Sequence, residues 1–239
     1  MHVRGAVGIA VVLALGTAAP AHPSGEEHYE VWAIDQSNSP GKTYGGTLHI
    51  WDGHALEDPG RARHAVSEAV DLGGAAAALC LAKTGVNPVR PHMLAINASQ
   101  THAIVSFVSS GHVLFMDAAS RTPVDCIRTS VGDGGARQVH FAIPSPDETY
   151  VSVANQNGKL FERINTRYAT NTFTLDSAAG INLAACTTPN GQPCQDANLR
   201  PDNAPICPVI ESTSTYTFLT LRGGGMFVVD SRKTPMEIV

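Results

Sequence analysis

Met93–Ile127 reads MLAINASQTHAIVSFVSSGHVLFMDAASRTPVDCI: three short strands, Met93–Asn97, Ala103–Val108 and His112–Asp117, with a fourth beginning near Val124. Moving forward 47 residues superposes this stretch, without a gap, on FAIPSPDETYVSVANQNGKLF, where Ile96 meets Ile143, Ile104 meets Val151 and Gly111 meets Gly158. A further 66 residues bring in PVIESTSTYTFLTLRGGGMFVVD, with Tyr150 on Tyr216, Gly158 on Gly224 and Phe161 on Phe227. Upstream, GTLHIWD at Gly46–Asp52 matches GHVLFMD at Gly111–Asp117 and GGMFVVD at Gly224–Asp230. One four-stranded unit therefore recurs four times.

A single four-stranded sheet cannot bury both faces alone, so repeats of this length stack side by side around an axis as propeller blades. Apolar residues alternate along each unit (Val113 and Phe115; Leu48 and Ile50; Met226 and Val228), the period of a strand. The marker glycine before them suits a tight hairpin turn. The third copy departs, with Ile164 where an Asp is expected and Asn165 one place later. An antiparallel sandwich is the competing architecture.

The first and third intervals between marker glycines each carry roughly 20 residues more than one blade needs. These are two excursions, near residues 73–90 and 177–206, and they look alike: DLGGAAAALC at Asp71–Cys80 and DSAAGINLAAC at Asp176–Cys186. One or two helical turns are expected in each, since Gly73, Gly74 and Gly180 oppose a longer helix, and both excursions should leave from one face. Thr234–Val239 matches Thr122–Ile127 inside an outer strand. The fold expected is all-β: a β-propeller, about four blades of a seven- or eight-bladed ring, spanning residues 22–239.

Net charge is −5 with 15% charged residues, which leaves no basic footprint for nucleic acid. Met1–Arg4 is a short basic stretch, Gly5–Leu15 is apolar, and Ala19-Pro20-Ala21 supplies small residues at a cleavage site, so residues 1–21 read as a signal peptide. Nothing later is long and apolar enough to span a membrane. The mature chain is expected to be secreted or periplasmic, with its cysteines structural rather than catalytic.

The pattern resembles the YVTN-type repeats of exported bacterial propellers. Pro91-His92-Met93-Leu94, the Ser-Pro-Asp turn at Ser145–Asp147 and YVSVAN at Tyr150–Asn155 carry the resemblance. It covers residues 29–239 apart from the excursions. Asn97-Ala98-Ser99-Gln100 replaces the Ser-Pro-Asp turn in the second unit. The resemblance implies a propeller related to surface-layer and binding proteins, lactonases, haem d1 propellers and selenium-binding or methanethiol-oxidising proteins. It implies no single activity.

His92 and His140 each open the first strand of a unit, the strand nearest a propeller axis, where two imidazoles from adjacent blades can converge on copper, zinc or iron. The plainer reading is that each bonds a neighbouring turn. His49, His102 and His112 look like strand surface. Cys186, Cys194 and Cys207 bracket a long proline- and asparagine-rich loop that one disulfide would pin; Cys186–Cys194 would close the Pro-Asn-Gly turn, but spacing leaves the connectivity open. Arg137 and Arg222 sit in glycine turns, as solvated charges or as contacts for an anion. No GxSxG elbow, SxxK tetrad or phosphate-binding glycine loop occurs.

The function expected is a scaffold binding a small molecule or a protein at the propeller face. The alternatives are a periplasmic metal-dependent oxidoreductase, using copper or iron on the axis, and a lactonase-like hydrolase.

Overall fold

The computed structural model describes residues 28–239, so the expected signal peptide lies outside the described residues. The chain folds as four antiparallel sheets met in sequence order. The first is β1 (Glu30–Asp35), β2 (Thr47–Asp52) and β3 (Glu68–Asp71). The second is β4 (Pro91–Ile96), β5 (His102–Phe107), β6 (His112–Asp117) and β7 (Pro123–Arg128). The third is β8 (Val139–Pro144), β9 (Tyr150–Asn155), β10 (Leu160–Arg167) and β11 (Thr172–Leu175), with the short β12 (Ile181–Asn182) also pairing with β10. The fourth is β13 (Pro205–Ile210), β14 (Tyr216–Leu221), β15 (Met226–Asp230) and β16 (Glu237–Ile238).

Strand alternation sends neighbouring side chains into different cores. Ala103, Val105 and Phe107 of β5 join Leu114 and Met116 of β6 and Leu48 and Ile50 of β2. The residues between them, Ile104, Val113 and Phe115, join Val151, Val153 and Ile164 of the third sheet. A third cluster joins Ala154 and Phe161 to Leu219, Phe227 and Val229 of the fourth. Each full burial of such a side chain stabilises by about 1.5–3 kcal/mol. Stacked sheets with three successive cores are propeller architecture, and the sandwich is excluded.

β4 lies against β8, and β8 against β13. Each second strand also meets the next sheet's inner strand: β5 meets β8, β9 meets β13 and β1 meets β4. Among the described residues no comparable contact returns from β13 to β1, so the sheets form an open arc. The registers say why the first sheet has only three strands. Glu30 pairs with Asp52 as His102 pairs with Asp117, Tyr150 with Asn165 and Tyr216 with Asp230. β1 is thus the counterpart of β5, β9 and β14, and nothing described in the first sheet corresponds to the inner strands β4, β8 and β13. The end sheets each keep one uncovered face, with Val31 exposed on one and Tyr216, Phe218 and Met226 on the other.

Several local expectations change. The marker in the third copy is Lys159, not Gly158: Lys159 takes the left-handed turn at φ 49° as Gly111 does at φ 71°, and counting from it puts Asn165 in the Asp position. Asn97–Gln100 builds the same turn as Ser145–Glu148, because Asn97 Oδ1 accepts the His102 N–H as Ser145 Oγ accepts that of Tyr150. His102 and His112 are buried, not strand surface, since both faces of the second sheet are packed. The excursions differ from one another. Ala75–Thr84 is a ten-residue helix, longer than expected, because Gly73 and Gly74 precede it and the alanine run itself is uninterrupted. In the second excursion Gly180 interrupts the run, and Ile181 joins a sheet. A disulfide from Cys80 to Cys126, 46 residues apart, ties the helix to β7; closing a loop of that length stabilises by about 4 kcal/mol.

The open edge of β1 has a measurable consequence. Its amides directed away from β2 should exchange with deuterium far faster than those of β5 and β9, which are paired on both sides. Equal protection in hydrogen-exchange mass spectrometry would mean that the edge is occupied in solution.

Candidate functional site

β4, β8 and β13 share one irregularity. In each, the register shifts near the start of the strand: between Pro91 and Met93, between Val139 and Phe141, and between Pro205 and Pro208. A bulge places an extra residue on one strand and re-aims its side chain. The re-aimed residues are His92 in β4 and His140 in β8, and Ile206 takes the same place in β13.

The two imidazoles meet edge to face, with centroids 4.5 Å apart and Nε2 atoms 3.2 Å apart. His140 Nδ1 lies 3.1 Å from the Ile206 carbonyl oxygen, and His92 Nδ1 lies 2.9 Å from Gln36 Nε2. These partners fix the protons. A carbonyl only accepts, so His140 carries its proton on Nδ1 and accepts at Nε2. His92 therefore donates from Nε2 and accepts the Gln36 N–H at Nδ1. The result is one directional chain, Gln36 to His92 to His140 to Ile206, running from the loop after β1 across β4 and β8 to β13. Burial, then Arg90, holds His92 below the usual histidine value; burial, then His92, does the same for His140, against the Ile206 bond. Both rings are neutral in this arrangement.

Sequence reasoning placed His92 and His140 on inner strands, and the structure brings them together. Gln36 carried no signal, since it lies in an irregular loop after β1. Among the described residues no group of three His, Cys, Asp or Glu side chains is placed to hold a metal. Cys207 follows Ile206 and is a free thiol, pushed up by burial, while Cys186 and Cys194 are joined to each other. Arg222 is paired with Asp202 rather than awaiting an anion. A cleft of about 720 Å³ lies elsewhere, between β1 (Glu30, Trp32) and the turns at Asn97–Gln100 and Ala118–Arg121. It adjoins β1, the edge strand of the first sheet among the described residues.

No protein-family model matches this chain, and no curated protein matches it in sequence. Solved structures do match in shape. A Bacteroides fragilis protein assigned as a 6-phosphogluconolactonase is 10% identical, with TM-score 0.57 over 88% of this chain and 52% of its own. A Bacteroides uniformis protein with the same assignment is 12% identical, with TM-score 0.58 over 91% and 53%. Hydrazine synthase of Kuenenia stuttgartiensis is 14% identical, with TM-score 0.53 over 88% and 51%. At these identities the likeness is one of fold: this chain is a β-propeller. It spans about half the length of these structures.

A buried histidine outside the chain offers a pH test. His112 is fully buried, bonded to Ser110 Oγ and Thr84 Oγ1, and is lowered to about 4 by burial first, then by Arg128 and Arg137. A histidine depressed in the folded state stabilises fully above its unfolded value near 6.5 and loses that contribution as pH falls toward 4. The loss should be on the order of 3 kcal/mol. Urea unfolding at pH 7 and pH 4.5 should show His112→Gln losing less stability than the parent chain; equal losses would assign the acid sensitivity to other groups.

Proposed function

We propose that this chain is part of an exported β-propeller of the YVTN-repeat type that serves as a binding scaffold, with the Gln36–His92–His140–Ile206 chain as the polar surface its ligand contacts. The observation that carries this reading is the pairing of His92 with His140 at the bulges of adjacent inner strands, which gathers polar side chains where the sheets converge. A small molecule presenting a carbonyl or hydroxyl group fits it best, because the Gln36 amide keeps a second N–H and its carbonyl oxygen for a ligand while the ring nitrogens are bonded within the chain. Two disulfides favour an oxidising compartment. The three-stranded first sheet, the two uncovered faces and the greater length of the matching structures, of which this chain covers about half, support an arc belonging to a larger ring.

A second reading has its own observation. An Nε2 separation of 3.2 Å is the span of two ligands at 2.0–2.1 Å from one metal at an angle of about 100°. Each histidine's other nitrogen is held by an amide or carbonyl, as metal-binding histidines usually are. Copper or iron would need Gln36 to turn its amide and accept from His92 Nδ1, and further ligands from outside the described residues. With all four ring nitrogens already bonded, the scaffold reading is preferred.

Titrating the chain and a His92→Ala/His140→Ala variant with copper(II) and iron(II), then screening both with polar fragments by NMR, separates the readings. The scaffold reading expects no stoichiometric metal, and fragment hits clustered at Gln36, His92 and His140 that the variant loses. Stoichiometric metal lost in the variant would establish the metal centre instead; hits elsewhere in both proteins would remove the axial site.

A further inference from the structure

A second polar feature lies at the opposite, outer side of the second sheet. Arg128 ends β7, and Arg137 lies in the connection to β8. Arg128 Nε–H donates to the Ser110 carbonyl at 3.1 Å, and Arg137 Nε–H to the Thr129 carbonyl at 2.7 Å. Both acceptors belong to one knot at the β5–β6 turn, because Thr129 donates from its backbone N–H and its hydroxyl to the Gly111 carbonyl at 2.9 and 3.1 Å. The Arg137 stem packs directly over Gly111: a Cβ there would lie 2.6 Å from Arg137 Cβ, at a backbone φ of 71°. Each guanidinium is thus pinned by its Nε, while its two terminal nitrogens make no hydrogen bond among the described residues.

Both arginines line a cleft of about 420 Å³ with Lys83, Thr84, Asp125 and Phe173. Lys83 is neutralised by Asp125. Glu162, whose charge Arg137 feels, is occupied by the Ser130 N–H and by Asn155. Neither Arg128 nor Arg137 has an ion pair among the described residues, whereas Arg121, Arg163, Arg222 and Arg232 each bond a carboxylate. The cleft therefore holds two guanidinium forks outside any ion pair among the described residues, close enough for Arg137 to help lower Arg128, after burial. In a chain of net charge −5, two like charges fixed beside each other are a cost that a bound anion would remove. The nearby helix C-terminus is capped, with Gly85 N–H and Thr84 Oγ1 taking the Leu81 and Cys80 carbonyls, so its exposed dipole is reduced.

We propose that this cleft binds the phosphate group of a small molecule. Two forks with free terminal nitrogens suit tetrahedral oxyanions, which arginine engages through paired N–H donors. Two positive charges, that of Arg137 partly offset by Glu162, suit the roughly −1.5 to −2 of a phosphomonoester at neutral pH. The site is independent of the histidine chain and does not rest on the function proposed for it.

The test uses the chain with inorganic phosphate at constant ionic strength, following the arginine Nε–Hε signals by NMR. Phosphate should shift the Arg128 and Arg137 signals saturably, where chloride at equal ionic strength does not. Arg128→Gln and Arg137→Gln should each weaken binding about tenfold or more. Arg128→Lys, which keeps the charge but loses the fork, should also weaken it, and it carries the test if loss of the Arg137 stem unfolds the turn. Arg222→Gln, already paired with Asp202, should leave binding unchanged. Shifts that chloride reproduces, binding retained in both Arg128 variants, or equal weakening by Arg222→Gln would overturn the proposal.

Discussion

The structure depends on one constraint: a sheet apolar on both faces must be covered on both. Within β5, Ile104 packs toward the third sheet while Val105 packs toward the first, so the second sheet cannot be stable without neighbours on either side. The same holds for β9, where Val153 and Ala154 belong to different cores. Stacking therefore propagates until something covers the last face. Val31 at one end and Tyr216, Phe218 and Met226 at the other are where it stops among the described residues. The short first sheet belongs to the same logic, since β1 has a second strand's register without an inner strand beside it.

Covering both faces also decides where polar groups go. His112 and His102 are interior because the sheet surface is interior, and each has found partners: Ser110 and Thr84 for the first, Thr101 and Asn171 for the second. At the inner strands, where the register slips, side chains from adjacent sheets also meet directly. The bulges at His92 and His140 turn two ladder positions into a contact, and the neutral state favoured by burial makes that contact a hydrogen bond rather than a repulsion. The turns at the strand ends are stitched similarly, with Asp147 accepting from Arg232 and donating its N–H to Ser214 Oγ.

Much of this was legible in the sequence. Period-two alternation and the repeat from Met93 onward located the strands, and the inner-strand positions of His92 and His140 followed from them. What was not legible depended on geometry that spacing does not carry. Lys159 performs a glycine's turn, so the gapless alignment was one residue off there. Asn97 caps its turn with a side-chain oxygen as Ser145 does, a chemical equivalence hidden by different residue names. Gln36 reaches His92 from a loop with no pattern, and Arg128 joins Arg137 only because both bond one knot at Gly111. The Cys80–Cys126 bridge was not assigned, because its partners sit on a helix and a strand whose contact the repeat does not predict.

The central claim is that the loop after β1 and the inner strands β4, β8 and β13 are linked by one directional hydrogen-bond chain through two neutral histidines. Long-range nitrogen–proton correlation spectra of the imidazoles at neutral pH test it most directly. The account predicts His140 protonated at Nδ1 and His92 at Nε2, with neither ring charged. Both histidines in the same tautomer, or either as an imidazolium, would contradict it.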